Sequence, residues 1–361
     1  MRLDMWPYLL LFLLPAYFAV SRLKPVTLNS QSGWNRSWSL VFVLFILMIG
    51  LRHEVGGDWF TYIKVLDTAK TESLAESIIH SDPAFSFLNW ASAQSGTGVY
   101  SVNIIFAIIF SLGLLVFCRA QPRPWLALVV AVPYLVIVVA MGYSRQGVAI
   151  GLICMGLASL DQGRILRFVL LLSFAALFHN SAVILLPLAA LVSTNRRFFT
   201  LLWLSVSGVF LFVLLLKESV EGFTSGYLVA EYQSSGAAIR VAMNALPAFA
   251  FLLLRKRFQL KPVQRNLWTW IALGALAFIL ILKLSPSSTA VDRMALYLIP
   301  LQLFVWSRLP DALGRTGGKN TIWVYAIVAY SAAVLFGWLF FADNSSGWLP
   351  YQFYPWVWMW K

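Results

Sequence analysis

The sequence predicts an all-α, polytopic membrane protein of about twelve transmembrane helices, and three observations carry that prediction. The 361-residue chain is 60% hydrophobic with a mean hydropathy of +0.78. Only 11% of it is charged, against about 25% in a soluble domain. Apolar stretches recur at 5–21, 38–51, 99–118, 125–141, 144–160, 165–178, 180–194, 199–216, 240–254, 266–283, 293–307 and 321–341. Several fall short of the ~20 residues that a perpendicular helix needs, so tilted or re-entrant segments are expected among them. Finally, charge alternates from loop to loop in the manner of a chain that weaves through a membrane.

The first stretch, 5–21, follows Arg2 and Asp4 and runs directly into Arg22 and Lys24 without a small-x-small cleavage site. It reads as a retained span with the N-terminus outside. That orientation places Arg22/Lys24/Arg36, Arg119/Arg123, Arg164/Arg167, Arg196/Arg197, Arg255/Lys256/Arg257/Lys261/Arg265 and Arg308/Arg315/Lys319 in cytoplasmic loops, 17 of the 27 basic residues. Only Asp161 and Asp311 among the acids fall on that side. The net charge of +13 is thus explained by loops that face anionic headgroups, and nucleic acid is not an expected partner. Cys118 and Cys154 lie in apolar runs and read as packed free thiols.

The whole chain, 1–361, forms one membrane domain with three long outer segments. In 52–98, Trp59, Tyr62, Ile63, Leu66 and Ala69 recur at helical spacing, as do Phe85, Leu88 and Ala91 after Asp82-Pro83. Two interfacial amphipathic helices are expected there. The loop 217–239 carries Gly222, Gly226 and Gly236 with several serines and reads as a mobile loop or lid. The tail 342–361 is rich in Trp, Tyr and Pro, and Trp348, Trp356, Trp358 and Trp360 read as interfacial belt residues.

Four arginines break the charge rule: Arg52, Arg145, Arg240 and Arg293 stand at the outer ends of spans. An arginine grips phosphate oxygens with a planar fork, whereas lysine would serve equally well for snorkelling. Together they read as a clamp for a lipid-linked diphosphate. Gly56-Gly57 allows a turn that holds Asp58 beside Arg52, either as a general base next to a phosphate ligand or as an anchoring salt bridge. Arg145, with Gln146 beside it and no local acid, reads as a phosphate ligand, with snorkelling to headgroups as the alternative. His179 suits proton transfer or phosphate contact, or caps the helix junction. Asp292 is adjacent to Arg293 and is expected to neutralise it in part, with Tyr297 one turn on. Trp59 and Tyr62 could stack on sugar faces beside Asp58. His53, His80 and His179 lack metal-ligand spacing, so no metal and no cofactor are expected.

These landmarks resemble the EpsG family of bacterial exopolysaccharide proteins, a group similar to Wzy-type polymerases. The matching pieces run in order along nearly the whole chain: Arg52 with Gly57-Asp58 and Tyr62, Asp82-Pro83 to Leu88-Asn89, Arg145-Gln146, His179 with Ser181-Ala182, Arg293 with Tyr297, and Leu349-Pro350-Tyr351-Gln352. Gln352 stands where the family often has lysine, and Gly56-Gly57 where Gly-Thr is more usual. The resemblance implies a GT-C-like helical bundle with an outer-facing cavity in the bacterial plasma membrane, and the loop charges place both termini on the periplasmic side. It implies a polymerase that joins undecaprenyl-diphosphate-linked oligosaccharide repeats, with membrane lipid and other polysaccharide export and chain-length proteins as partners. Asp58 and His179 are then the candidate catalytic residues. Arg52, Arg145, Arg293 and Arg240 hold the diphosphate, while Trp59, Tyr62, Gln146, Tyr297 and Tyr351 contact or support the sugar. The rivals are a flippase for the same lipid, an O-antigen ligase or acyltransferase, and an export scaffold. Helix centres nearly free of ionisable groups disfavour the flippase.

Overall fold

The structure, a computed structural model, describes residues 5–26, 34–79, 81–192, 236–285 and 287–359, with positions 202, 205, 206 and 209 between them. The span expected at 199–216 falls largely outside the described residues, as do most of the loop 217–239, Arg196/Arg197, His80 and Trp360. Among the described residues every element is helical, apart from one isolated bridge between Arg52 and Phe353. The helices are α1 (Trp6–Ser21), α2 (Arg36–Gly50), α3 (Trp59–Ala69), α4 (Leu74–Ile79), α5 (Pro83–Ser95), α6 (Gly98–Arg119), α7 (Pro124–Ala131), α8 (Ser144–Leu160), α9 (Ile165–Phe178) and α10 (Pro187–Val192). They continue as α11 (Ala237–Leu254), α12 (Pro262–Leu284), α13 (Ser288–Ala295), α14 (Pro300–Leu313), α15 (Thr321–Phe341) and α16 (Tyr354–Met359). Among the described residues, four helices are long and apolar enough to cross a membrane: α6, α11 with its extension to Phe258, α12 and α15. Six shorter apolar helices of 10–17 residues accompany them. This is a multi-pass membrane architecture.

Local chemistry sets the helix boundaries. Asn35 opens α2 by accepting from the Ser37 and Trp38 amides at 3.1 and 3.3 Å. Pro124, Pro262 and Pro300 stand in the first turn of α7, α12 and α14, where the missing amide costs nothing. At the centre, α7 passes into a π-helical segment, Val132–Ala140, every residue of which is buried. Pro133 lacks an N–H and cannot keep the α-helical ladder, so the wider turn begins beside it. Small residues let α6 and α8 touch: a Cβ on Gly113 would stand 2.0 Å from the Gly151 carbonyl oxygen. Both cysteines are free and buried, as expected from their apolar runs.

The basic hairpins gather at one end of the bundle. Arg123 forms a two-bonded ion pair with Asp311 at 2.9 and 2.8 Å and donates to the Leu23 and Gly318 carbonyls. Asp161 accepts from Gln264 and Trp268 at 2.6 and 3.0 Å, and Arg308 donates to Gln121. The opposite end gathers residues 51–59, 141–146, 179–181, 287–297 and 345–354 through long-range hydrogen bonds.

Two segments differ from the sequence expectation. Residues 52–98 form three helices rather than two, because Ser73 and Glu76 make a reciprocal capping box that starts α4. Trp348 is a core residue and not a belt residue: it is 1% exposed, and its indole donates to the Ile137 carbonyl of the π segment at 2.8 Å. Tyr8 donates to the Trp348 carbonyl at 2.5 Å, so the tail packs back onto α1 and the π segment. Trp356 and Trp358 remain exposed.

Candidate functional site

At that second end, Gly56 makes the first turn after α2 possible. Its φ is +107°, and a Cβ there would stand 2.2 Å from the Met141 carbonyl oxygen. The turn brings the Asp58 amide onto the Gly142 carbonyl at 3.1 Å and starts α3 at Trp59. Asp58 is half-buried and does not cap α3; instead the Tyr62 hydroxyl donates to its Oδ2 at 3.3 Å. Burial, and then the Asp58 charge, push the Tyr62 phenol up to about 12.

Arg52 does not pair with Asp58. Its guanidinium donates to the Val55 carbonyl at 3.1 Å, the Ile49 carbonyl at 2.5 Å and the Ser144 hydroxyl at 2.6 Å, and lies over the Trp59 ring. Burial lowers its pKa to about 10, so it stays charged near neutral pH. Tyr351 donates to the Met48 carbonyl at 2.7 Å and, like Trp59, supports the same corner.

Arg145, one residue after Ser144, reaches the other way. It donates to the Ser81 hydroxyl at 3.1 Å and to Asp82 Oδ2 at 3.2 Å, above the Phe85 ring. Asp82 Oδ1 accepts the Asn180 amide at 3.0 Å, which ties the start of α5 to the α9 junction. Burial raises the Asp82 carboxyl above the usual carboxylate range despite Arg145. Asp82 reads from sequence as a helix start, and its long-range role is hidden by that.

His179 stands in the junction after α9, and its side chain caps no helix. Its Nδ1 meets the Ser181 hydroxyl at 2.7 Å and the Tyr297 hydroxyl at 3.0 Å, and those two hydroxyls lie 3.0 Å apart. Burial, then the nearby Arg145 and Arg293, lower the imidazole to about 3, so it is neutral at physiological pH. Gln146 Nε2 donates to the Arg293 carbonyl at 2.5 Å and links α8 to α13.

The pairing expected between Asp292 and Arg293 is replaced by a different one. Asp292 takes both Nε and Nη2 of Arg240 at 2.6 Å, a bidentate pair from α11 to α13. Successive residues on a helix point about 100° apart, so Arg293 faces away from its acidic neighbour. Its guanidinium carbon lies 4.0 Å from the Tyr143 ring centroid. Among the described residues it has no hydrogen-bond or ion-pair partner. Tyr143, missed in the sequence, thus sits between Arg293 and the Asp58 turn; only its place in the Arg145 hairpin signals it.

The arrangement collects Asp58, Tyr62, Tyr143, Arg145, His179, Arg293 and Tyr297 around one end of the bundle. Arg52 and Arg240 are held by the protein itself. The chemistry on offer is anion binding by arginine beside a half-buried carboxylate. Among the described residues no cluster of His, Cys, Asp and Glu could hold a metal ion.

No curated protein and no solved structure matches the chain. The model of the EpsG family matches residues 35–353, which takes in every one of these site residues. The chain therefore belongs to the EpsG family, a family of Wzy-like polysaccharide polymerases.

Proposed function

We propose that the protein is a membrane glycosyltransferase that polymerises lipid-linked oligosaccharide at the outer face of the plasma membrane. The donor is a glycan on undecaprenyl diphosphate, and the acceptor is a sugar hydroxyl of the next lipid-linked repeat. The observation that carries this reading is Arg293, a helix-end arginine whose guanidinium has no hydrogen-bond or ion-pair partner among the described residues, near His179 and Arg145. An uncompensated arginine in a membrane protein is costly unless an anion meets it.

In this mechanism the acceptor oxygen attacks the anomeric carbon while the bond to the diphosphate oxygen breaks. Negative charge grows on the departing diphosphate, and fixed cations there lower the barrier. Arg293 and Arg145 supply them, with Arg145 shared from Asp82. Asp58 receives the acceptor proton, oriented by the Tyr62 hydroxyl. An imidazole held at about 3 is a weak base, so His179 serves with Ser181 and Tyr297 as a neutral hydrogen-bonding group. Arg52 positions the Ser144–Arg145 hairpin, and the Arg240–Asp292 pair orients α13 so that Arg293 faces the site.

The test is reconstitution with purified lipid-linked repeats. A polymerase converts them to a ladder of longer products, and D58N leaves single repeats. Transport without elongation would point to a flippase, and transfer onto a different acceptor to a ligase.

A further inference from the structure

The basic end of the bundle holds a second cation cluster that the proposed reaction does not use. Val116, Arg119 and Ala120 of α6, Ala158 and Ser159 of α8, and the turn into α9 with Gln162, Arg164 and Arg167 line a cavity of ≈ 140 Å³. That is well below the ~300–1,000 Å³ of sites for drug-sized ligands, so the recess suits a phosphate-sized group and does not enclose a whole oligosaccharide. Among the described residues, the Arg164 and Arg167 side chains form no ion pair or hydrogen bond. The one acid of the turn, Asp161, turns both carboxylate oxygens to Gln264 and Trp268 of α12, and among the described residues it forms no ion pair with these arginines. The first turn of α9 adds the positive end of a 14-residue helix.

Apolar surface runs from the cavity along both flanking helices. Leu166, Leu170 and Phe174 form an exposed stripe on α9, and Ile105, Ile108 and Leu112 an exposed stripe on α6 that leads toward Val116 and Arg119. A free anion gains nothing from these stripes, whereas acyl chains lie along them. We infer that this cavity binds the phosphate of an anionic phospholipid headgroup, its acyl chains resting on α6 and α9.

The test is thermal unfolding of the full chain in non-ionic detergent with added phosphatidylglycerol or phosphatidylcholine. Phosphatidylglycerol should raise Tm saturably by several degrees, and phosphatidylcholine should not. R164Q/R167Q should bind phosphatidylglycerol several-fold more weakly, whereas R255Q/R257Q, an equal charge change at the same end, should keep the wild-type response. R167Q alone, which removes a side chain without a described polar partner, reads the same loss if the double variant does not fold. An unchanged response in these variants, or an equal loss in R255Q/R257Q, overturns the site. A Tm rise of the same size with inorganic phosphate alone overturns the lipid assignment.

Discussion

At the residue scale, four arginines that look alike in the sequence divide by what they touch. Arg240 is locked on Asp292, with side chains 13% and 10% exposed, whereas the Arg293 guanidinium lies over an aromatic face with no hydrogen-bond or ion-pair partner among the described residues. R240Q strands a buried carboxylate and should cost about 3 kcal/mol, much of it regained in R240Q/D292N; thermal unfolding of the three variants checks this. R293Q should unfold at the wild-type temperature yet elongate glycan about 10²–10³-fold more slowly. His179 makes a separate prediction. Its folded pKa of about 3 lies below the ordinary 6.5, so between those values the unfolded chain binds a proton that the folded chain does not. The stability associated with the neutral ring is complete above pH 6.5 and declines as pH falls toward 3. H179N should therefore show a shallower fall of Tm with decreasing pH below 6.5.

At the element scale, legibility followed the range of the interactions. The spacing of Trp59, Tyr62, Leu66 and Ala69 marks α3, and Asp82-Pro83 marks the start of α5, because both signals are local. The Ser73–Glu76 capping box that starts α4 is a local signal too, written in the sequence as Ser-x-x-Glu. The π segment was invisible, since a uniformly apolar run carries no period to distinguish one helix type from another. Asp292 lies next to Arg293 but pairs with Arg240, 52 positions away, a fact that only the packing of α11 on α13 reveals. Trp348 has the composition of a belt residue and the burial of a core one. Its removal in W348A should cost about 3–5 kcal/mol by leaving a cavity. Limited proteolysis should then cut the tail after Phe341 in W348A and spare it in the wild type.

For the whole molecule, the separation of the charge clusters onto two ends turns the predicted orientation into an experiment. Native Cys118 and Cys154 are buried and silent toward a polar maleimide. In intact spheroplasts S95C should label from outside, while T316C, at the end that holds the Arg123–Asp311 pair, should label only after permeabilisation. The reverse pattern would place the site on the cytoplasmic face, and the outer-face proposal would fail. In the proposed reaction the uncommitted Arg293, with Arg145 and Asp58, performs glycan transfer from a lipid diphosphate. The most direct measurement of that transfer is the product distribution of purified protein reconstituted with lipid-linked repeat units, wild type beside R293Q and D58N. The wild type should give a ladder of polymer and both variants single repeats at unchanged folding; an undiminished ladder from R293Q and D58N would contradict glycan transfer by these residues.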